Sequence, residues 1–284
     1  MDNIELNDQE PLEINIGNND NGDKPANIQR RDSYSAPLLA LKDIVIFPYT
    51  LSPLVVEGEA VIKMIESLIN GDRTLALFPE VPHLKEKAIE LAEPVIQTFD
   101  ADGKALCNIG VLARIVKMLK FPDGTVRILV RGLKRIRFQK KLNDAAPFIV
   151  EVKDILEQKD DNIETIAMAR NAIKQFQEII STSPFYPEEL RIAILNIDDN
   201  ARLADLIADT LHITYMEKLN ILAMPNLHNR LQFLTILLNR ELEVLHVGTK
   251  IQSQVSSTLG KTQREYFLRE QLRTIKKELG DDSK

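Results

Sequence analysis

The stretch Ile109-Phe138, IGVLARIVKMLKFPDGTVRILVRGLKRIRF, contains two β-prone runs joined at Phe121-Pro122-Asp123-Gly124. Proline presets one turn position and glycine supplies a positive φ. The spacing therefore predicts a long β-hairpin with arms Ile109-Leu119 and Thr125-Phe138, and a β-rich fold around it. From Val111 to Lys141, just past the end of this stretch, the sequence carries ten basic residues against a single acid, Asp123, in a chain whose net charge is −6. Phosphate backbones are one partner for such a surface, and Arg131, Lys134, Arg135 and Arg137 are the candidate nucleic-acid contacts. The solvated face of a sheet is the competing explanation, favoured because aromatic stacking residues are missing from the hairpin.

On the amino-terminal side, Leu38-Phe47 and Leu54-Val56 read as strands bounded by prolines. In Glu59-Ile69, Ala60, Met64 and Leu68 recur every fourth residue, which predicts a helix, with Asn70 and Gly71 as a left-handed cap. Arg73-Phe78 returns to strand, and Lys85-Glu93 reads as helical. Residues 1–36 are an acidic, Asn-rich tail expected to be disordered. On the carboxyl side Phe148-Ile155 is the last strand, so residues 37–156 form a β-rich lobe.

From Asp160 the apolar period becomes helical. A first helix runs to Ser181-Pro184, and further helices are expected over Glu188-Leu195, Ala201-Leu211 (capped by Asp198 or Asp199) and Tyr215-Met224 (capped by Thr214). Together they make a helical lobe over residues 157–247. Leu227-Leu279 then runs without proline for about 53 residues, or about 80 Å as one helix. Its apolar residues fall in two blocks, Leu227 to Leu245 and Leu268 to Leu279. A domain of this size has a radius of gyration of only about 15 Å, so the second block needs a partner outside it. A break at Gly248 or Gly260 is the alternative, because each glycine costs about 1 kcal/mol in a helix. Residues 248–284 are read as an extension of the long helix.

Composition and motifs exclude several functions. No apolar run is long enough for a membrane span, the acidic start is the wrong sign for a secretory signal, and a lone Cys107 forms no internal disulfide. The expected compartment is the cytoplasm. His83, His212, His228 and His246 lack metal-ligand spacing, and no serine sits in a nucleophile elbow. Gly260-Lys261-Thr262 matches the end of a phosphate loop, but Val255 stands where the motif needs glycine and no buried strand precedes it. Catalytic, cofactor-binding and metal-binding residues are therefore assigned as none. Apolar residues at two strand connections, Tyr49 and Leu51 in one and Met118, Leu119 and Phe121 in the other, are the candidate contacts for apolar chain segments.

Four motifs, in order, resemble the amino-terminal region of the bacterial Lon family of ATP-dependent proteases: Pro37-Leu38-Leu39-Ala40-Leu41-Lys42-Asp43-Ile44-Val45-Ile46-Phe47-Pro48; Leu119-Lys120-Phe121-Pro122-Asp123-Gly124-Thr125-Val126; Asn196 to Asp205; and Gln263 to Leu272 with Lys277-Glu278-Leu279-Gly280. The resemblance implies an α+β fold: a PUA-like β lobe, a helical bundle and a long projecting helix that leads to an ATPase module. It implies a non-catalytic substrate-recognition and assembly region, whose partners are unfolded or degron-bearing proteins and other subunits of a hexamer. ATP and Mg are implied for the parent Ser-Lys protease, not for this segment. The resemblance names no binding residue.

Overall fold

The computed structural model describes residues 33–82, 95–96, 105–122, 125–156, 162–183 and 185–278. Its β part comprises β1 (Tyr34–Leu41), β2 (Leu51–Val56), β3 (Thr74–Val81), β4 (Val95–Ile96), β5 (Ala105–Cys107), β6 (Ile109–Lys120), β7 (Val126–Lys141) and β8 (Ile149–Asp154), with α1 (Glu59–Ile69) between β2 and β3. Then come α2 (Ile163–Thr182), α3 (Glu189–Leu195), α4 (Asn200–Thr210), α5 (Tyr215–Leu222) and α6 (Leu227–Glu278). The expected α+β architecture, a β lobe followed by helices and a long terminal helix, is the one observed. The readings of Lys85-Glu93 and of the tail up to Asp32 lie outside the described residues; the tail expected through residue 36 is corrected at its end, where Tyr34 to Ala36 pair with Val152 to Val150 in β1.

Strands β1, β8, β7, β6 and β3 pair in a ring, closed by the parallel pairing of β1 with β3. A closed ring leaves no long edge to recruit other strands. The carboxyl half of β7 pairs with β8, whereas its first residues, Val126 to Arg131, pair with β2. Beyond Ile115 the hairpin thus leaves the ring and forms a three-stranded blade with β2.

Two further local expectations differ from the structure. The strand expected over 38–47 ends at Leu41, because Asp43 takes φ 59° and turns the chain. Val45, Ile46 and Phe47 are buried as an irregular segment instead. Nor is α1 closed by a left-handed Asn70 or Gly71: Asn70 keeps φ −83°, and the left-handed residue is Arg73 at φ 56°. Arg73 supplies the cap itself, its amide donating to the Leu68 carbonyl at 3.0 Å and its Nε to the Ile69 carbonyl at 3.0 Å. The Gly71 amide also donates to the Leu68 carbonyl at 3.0 Å, so the helix's last carbonyls are satisfied without a left-handed glycine.

The boundary expected at residue 156 is not a boundary in packing. Val45, Phe47, Cys107, Ile109 and Val111 from the β part share one buried cluster with Phe176, Ile207, Leu222 and Leu234 from the helices. At the centre of the junction lies an ionic cluster. Arg135 of β7 donates from both terminal nitrogens to the Asp205 carboxylate, at 2.7 and 2.6 Å, and Arg230 of α6 adds a third bond at 2.9 Å. All three side chains are at most 1% exposed. Further bonds run from Arg135 to the Leu222 carbonyl and from Arg230 to the Met224 carbonyl. One carboxylate thereby ties β7, α4, the end of α5 and the start of α6.

Helix α5 is started by a capping box between Thr214 and Glu217. Glu217 also takes a bidentate pair from Arg240 of α6, at 2.5 and 3.1 Å. The Arg240 bond, aided by Thr214, holds the Glu217 carboxyl at about 2, below its usual 4.5. A depressed carboxylate contributes stability that is present above its unfolded value and lost as pH falls through the folded one. Glu217→Gln is therefore expected to flatten the fall in stability between pH 4.5 and 2. With Arg240 half exposed, the difference should be about 1 kcal/mol, read from urea titrations across that range.

Helix α6 is continuous over 52 residues and passes through Gly248 and Gly260 without a break. Two glycine penalties of about 1 kcal/mol are too small to interrupt a helix whose propagation is cooperative. Leu227, Leu231, Leu234, Leu237 and Leu238 are buried against the other helices, with Leu242 and Leu245 packed at the margin. From Val247 onward, every described side chain is exposed. The second apolar block, from Tyr266 to Ile275, is exposed and packs on none of the described residues; Leu279 lies outside the described residues. Gly260-Lys261-Thr262 sits mid-helix, where no phosphate loop forms.

Candidate functional site

The blade is built by strand alternation. Its inner face carries Leu54 and Val56 of β2, Val126 and Ile128 of β7, and Met118 of β6, packed on Met64 and Ile65 of α1. Period 2 turns the intervening residues outward. Register places Leu51 opposite Arg131 and Arg131 opposite Arg114; Pro53, Leu129 and Lys117 form the next row, and Val55, Arg127 and Leu119 the last. Val116 is the extra residue of a bulge between Ile115 and Lys117. The outer face therefore presents Leu51 and Val55, each 58% exposed, and Val116 and Leu119, each 48% exposed, with cations interspersed. Adjacent strands lie about 4.8 Å apart, so Val55 and Leu119 flank Arg127 across about 10 Å.

The root of the blade is fixed by a close backbone approach. Tyr49 N–H donates to the Gly132 carbonyl at 2.9 Å, and Gly132 N–H donates to the Thr50 carbonyl at 3.0 Å. A Cβ on Gly132 would lie 2.2 Å from the Phe47 carbonyl oxygen. Tyr49 is held at φ 65°, its ring exposed under the Arg202 guanidinium at 4.7 Å. At the tip, Phe121 N–H donates to the Thr125 carbonyl at 2.9 Å, and Arg127 stands 4.5 Å over the Phe121 ring. Lys120 pairs with Glu66 and ties the blade to α1.

Of the apolar candidates, Leu51 and Leu119 share the outer face and Tyr49 borders it at the root. Phe121 is half-buried beneath Arg127. Met118 is a correction: its partner Ile128 faces inward, so Met118 packs toward α1 instead of joining an exposed cluster. Val55, Val116 and Leu129 were missed. The alternation Leu51, Pro53, Val55 extends β2 back to Leu51, whereas Pro53 confines the strand read from sequence to Leu54-Val56.

The nucleic-acid candidates do not form one surface. Arg131 is on the outer face, whereas Lys134 pairs with Asp154 at 2.5 Å and stands 5.4 Å from the Tyr34 ring. Arg137 is half-buried. Arg135 is buried in the ion cluster with Asp205, so it reaches no ligand. Lys120, Lys140 and Lys141 also have acidic partners.

The three histidines in the described residues are held apart. His228 contacts Thr165 at 3.3 Å, His212 contacts the Tyr186 hydroxyl at 2.7 Å, and His246 contacts Glu178 at 3.2 Å. Among the described residues no group of three or more His, Cys, Asp or Glu could hold a metal ion, and no helix is long and apolar enough to cross a membrane.

Residues 35–240 match the family described as the ATP-dependent protease La (LON) substrate-binding domain. The chain is 36% identical over 245 residues to the Lon protease of Dictyoglomus thermophilum, covering 86% of this chain and 29% of that protein. It is 32% identical over 255 residues to the Lon protease of Escherichia coli K12, covering 90% of this chain and 31% of that protein. The chain thus spans about 30% of the length of these curated relatives. Its fold is similar to the N-terminal domain of the Mycobacterium avium complex Lon protease, with TM-score 0.58 at 17% identity, covering 72% of this chain and 98% of that one.

Proposed function

The chain belongs to the Lon substrate-binding domain family, and from that premise we propose that it captures unfolded or degron-bearing proteins on the outer face of the β2–β7–β6 blade. It serves there as the non-catalytic recognition and assembly region of an ATP-dependent Lon-type serine protease that degrades misfolded and short-lived regulatory proteins in the cytoplasm. ATP and Mg act in the other modules of that protease. The exposed second half of α6 is the element that reaches them and the neighbouring subunits of a hexamer.

The observation that carries this reading is the apolar face of Leu51, Val55, Val116 and Leu119, held rigid by α1 behind it and by Gly132 at its root. Unfolded chains differ from folded ones in offering contiguous apolar side chains, and such a face is complementary to them. Interspersed arginines and lysines keep it from pairing with itself. Leu119→Asp places a carboxylate there without touching the core. It is expected to weaken binding of a permanently unfolded protein about tenfold with no change in melting temperature, as read by fluorescence anisotropy and calorimetry. Unchanged affinity would count against the blade.

A further inference from the structure

At the root of the blade the apolar face gives way to a concentration of positive charge. Arg114 and Arg131 are direct cross-strand partners on the exposed face. Like charges placed directly opposite on a sheet repel each other. A third guanidinium, that of Arg73, lines the same concavity of about 630 Å³ with Tyr49 as one wall. The left-handed turn and the Nε bond to Ile69 fix where Arg73 stands. Among the described residues none of these three arginines is in a salt bridge, and Asp72 is the one acid in the lining. Opposed like charges are unfavourable on a sheet, and an anion placed between them would offset that repulsion.

This concavity adjoins a second one of mixed lining. The second hollow, of about 280 Å³, shares Arg73, Ile115 and Val116 with the first and continues past Lys117 and Met118 to Ile69 of α1. A ligand lying along β6 therefore meets Val116, Lys117 and the margins of Met118 and Ile69 toward the tip, and three guanidiniums at the root.

Resting on the proposed capture of unfolded chains, we infer that the root of the blade is a carboxylate pocket formed by Arg73, Arg114 and Arg131, and that the segments captured best are apolar stretches flanked by Asp or Glu. Charge complementarity selects this occupant: guanidiniums bind carboxylates in a forked geometry, while Val116 and Leu119 contact the apolar neighbours. A lysine-flanked stretch of equal apolarity meets repulsion at the same place.

Two unstructured fluorescent peptides with an identical apolar core, one flanked by Asp and Glu and one by Lys, test this on the whole chain by anisotropy at several salt concentrations. The acidic-flanked peptide is expected to bind about tenfold tighter at low salt, with the preference shrinking as salt rises. In Arg114→Gln with Arg131→Gln, both surface changes, the preference should vanish while binding of the apolar core persists. Equal affinity for the two peptides would overturn the carboxylate pocket yet leave capture by the blade standing, provided Leu119→Asp weakens both. Insensitivity of both peptides to Leu119→Asp would instead overturn the blade. Tighter binding of a single-stranded oligonucleotide, lost in the same arginine variant, would assign the pocket to phosphate and overturn the carboxylate reading.

Discussion

Replacing Asp205 with Asn is expected to destabilise the chain by about 3–5 kcal/mol, enough to unfold much of the population of a marginally stable protein. The substitution keeps the volume and removes only the charge. It leaves Arg135 and Arg230, both buried, facing each other across a neutral amide. Two guanidiniums without a carboxylate cannot shed their charge, because arginine stays protonated in proteins. The loss falls at the junction between β7, α4, α5 and α6, so both parts of the molecule should melt together at a lower urea midpoint. Asp209→Asn is the matched comparison. Burial already pushes the Asp209 carboxyl up from its usual range, so neutralising it should cost under about 1 kcal/mol. Equal, small losses at the two positions would show that the cluster is not what holds β7 to the helices.

Gly132→Ala is expected to cost about 2–4 kcal/mol and to disturb the root of the blade specifically. The new methyl would sit 2.2 Å from the Phe47 carbonyl oxygen and 3.0 Å from its carbon. Both are backbone atoms, so no side-chain rotation relieves the clash. The segment from Phe47 to Thr50 must lift away, and the paired hydrogen bonds between Gly132 and Tyr49 and Thr50 lengthen or break. Amide exchange at Tyr49 and Gly132 should accelerate more than at Leu77 or Val152 in the ring. Gly248→Ala serves as contrast: nothing lies within 4 Å of that position in α6, so it should be neutral or slightly stabilising. A Gly132→Ala protein as stable as the parent would contradict the close approach.

The elements most visible in the sequence were those specified by local pattern. The hairpin, α1 and the caps of α4 and α5 follow from turn residues, from spacing at every fourth residue, and from Asp198 or Asp199 and Thr214; the structure selects Asp199 and places these features within about three residues. What local pattern left hidden was tertiary. Arg135 reads as one more cation in a basic strand, and only its distant partners Asp205 and Arg230 make it a core residue. Met118 and Leu119 are equally apolar, and their opposite orientations depend on register across the blade, including the bulge at Val116. Likewise Arg73 could not be predicted as the cap of α1, since that role rests on a left-handed φ in a residue that rarely adopts one. The candidate face was therefore half legible: Leu51 and Leu119 by their apolarity at strand connections, Val55 and Val116 only through pairing.

The long helix shows the opposite case, in which absence of packing could be read from sequence. Spacing marked a second apolar block too far along for this chain to cover, and Leu268, Leu272 and Ile275 are indeed 53–56% exposed. Its continuity through two glycines was the part that local propensity argued against.

Capture at the blade is tested most directly by the position of a bound chain. A photo-crosslinking residue introduced singly at Val55, Leu119 or Ile163 and irradiated with a permanently unfolded protein reports which surface the chain occupies. All three sites are exposed apolar positions, at 58%, 48% and 85%, but Ile163 lies at the start of α2. Strong adducts at 55 and 119 with little at 163 are the predicted result. Adducts equal at all three, or strongest at 163, would contradict the assignment of the blade as the recognition surface.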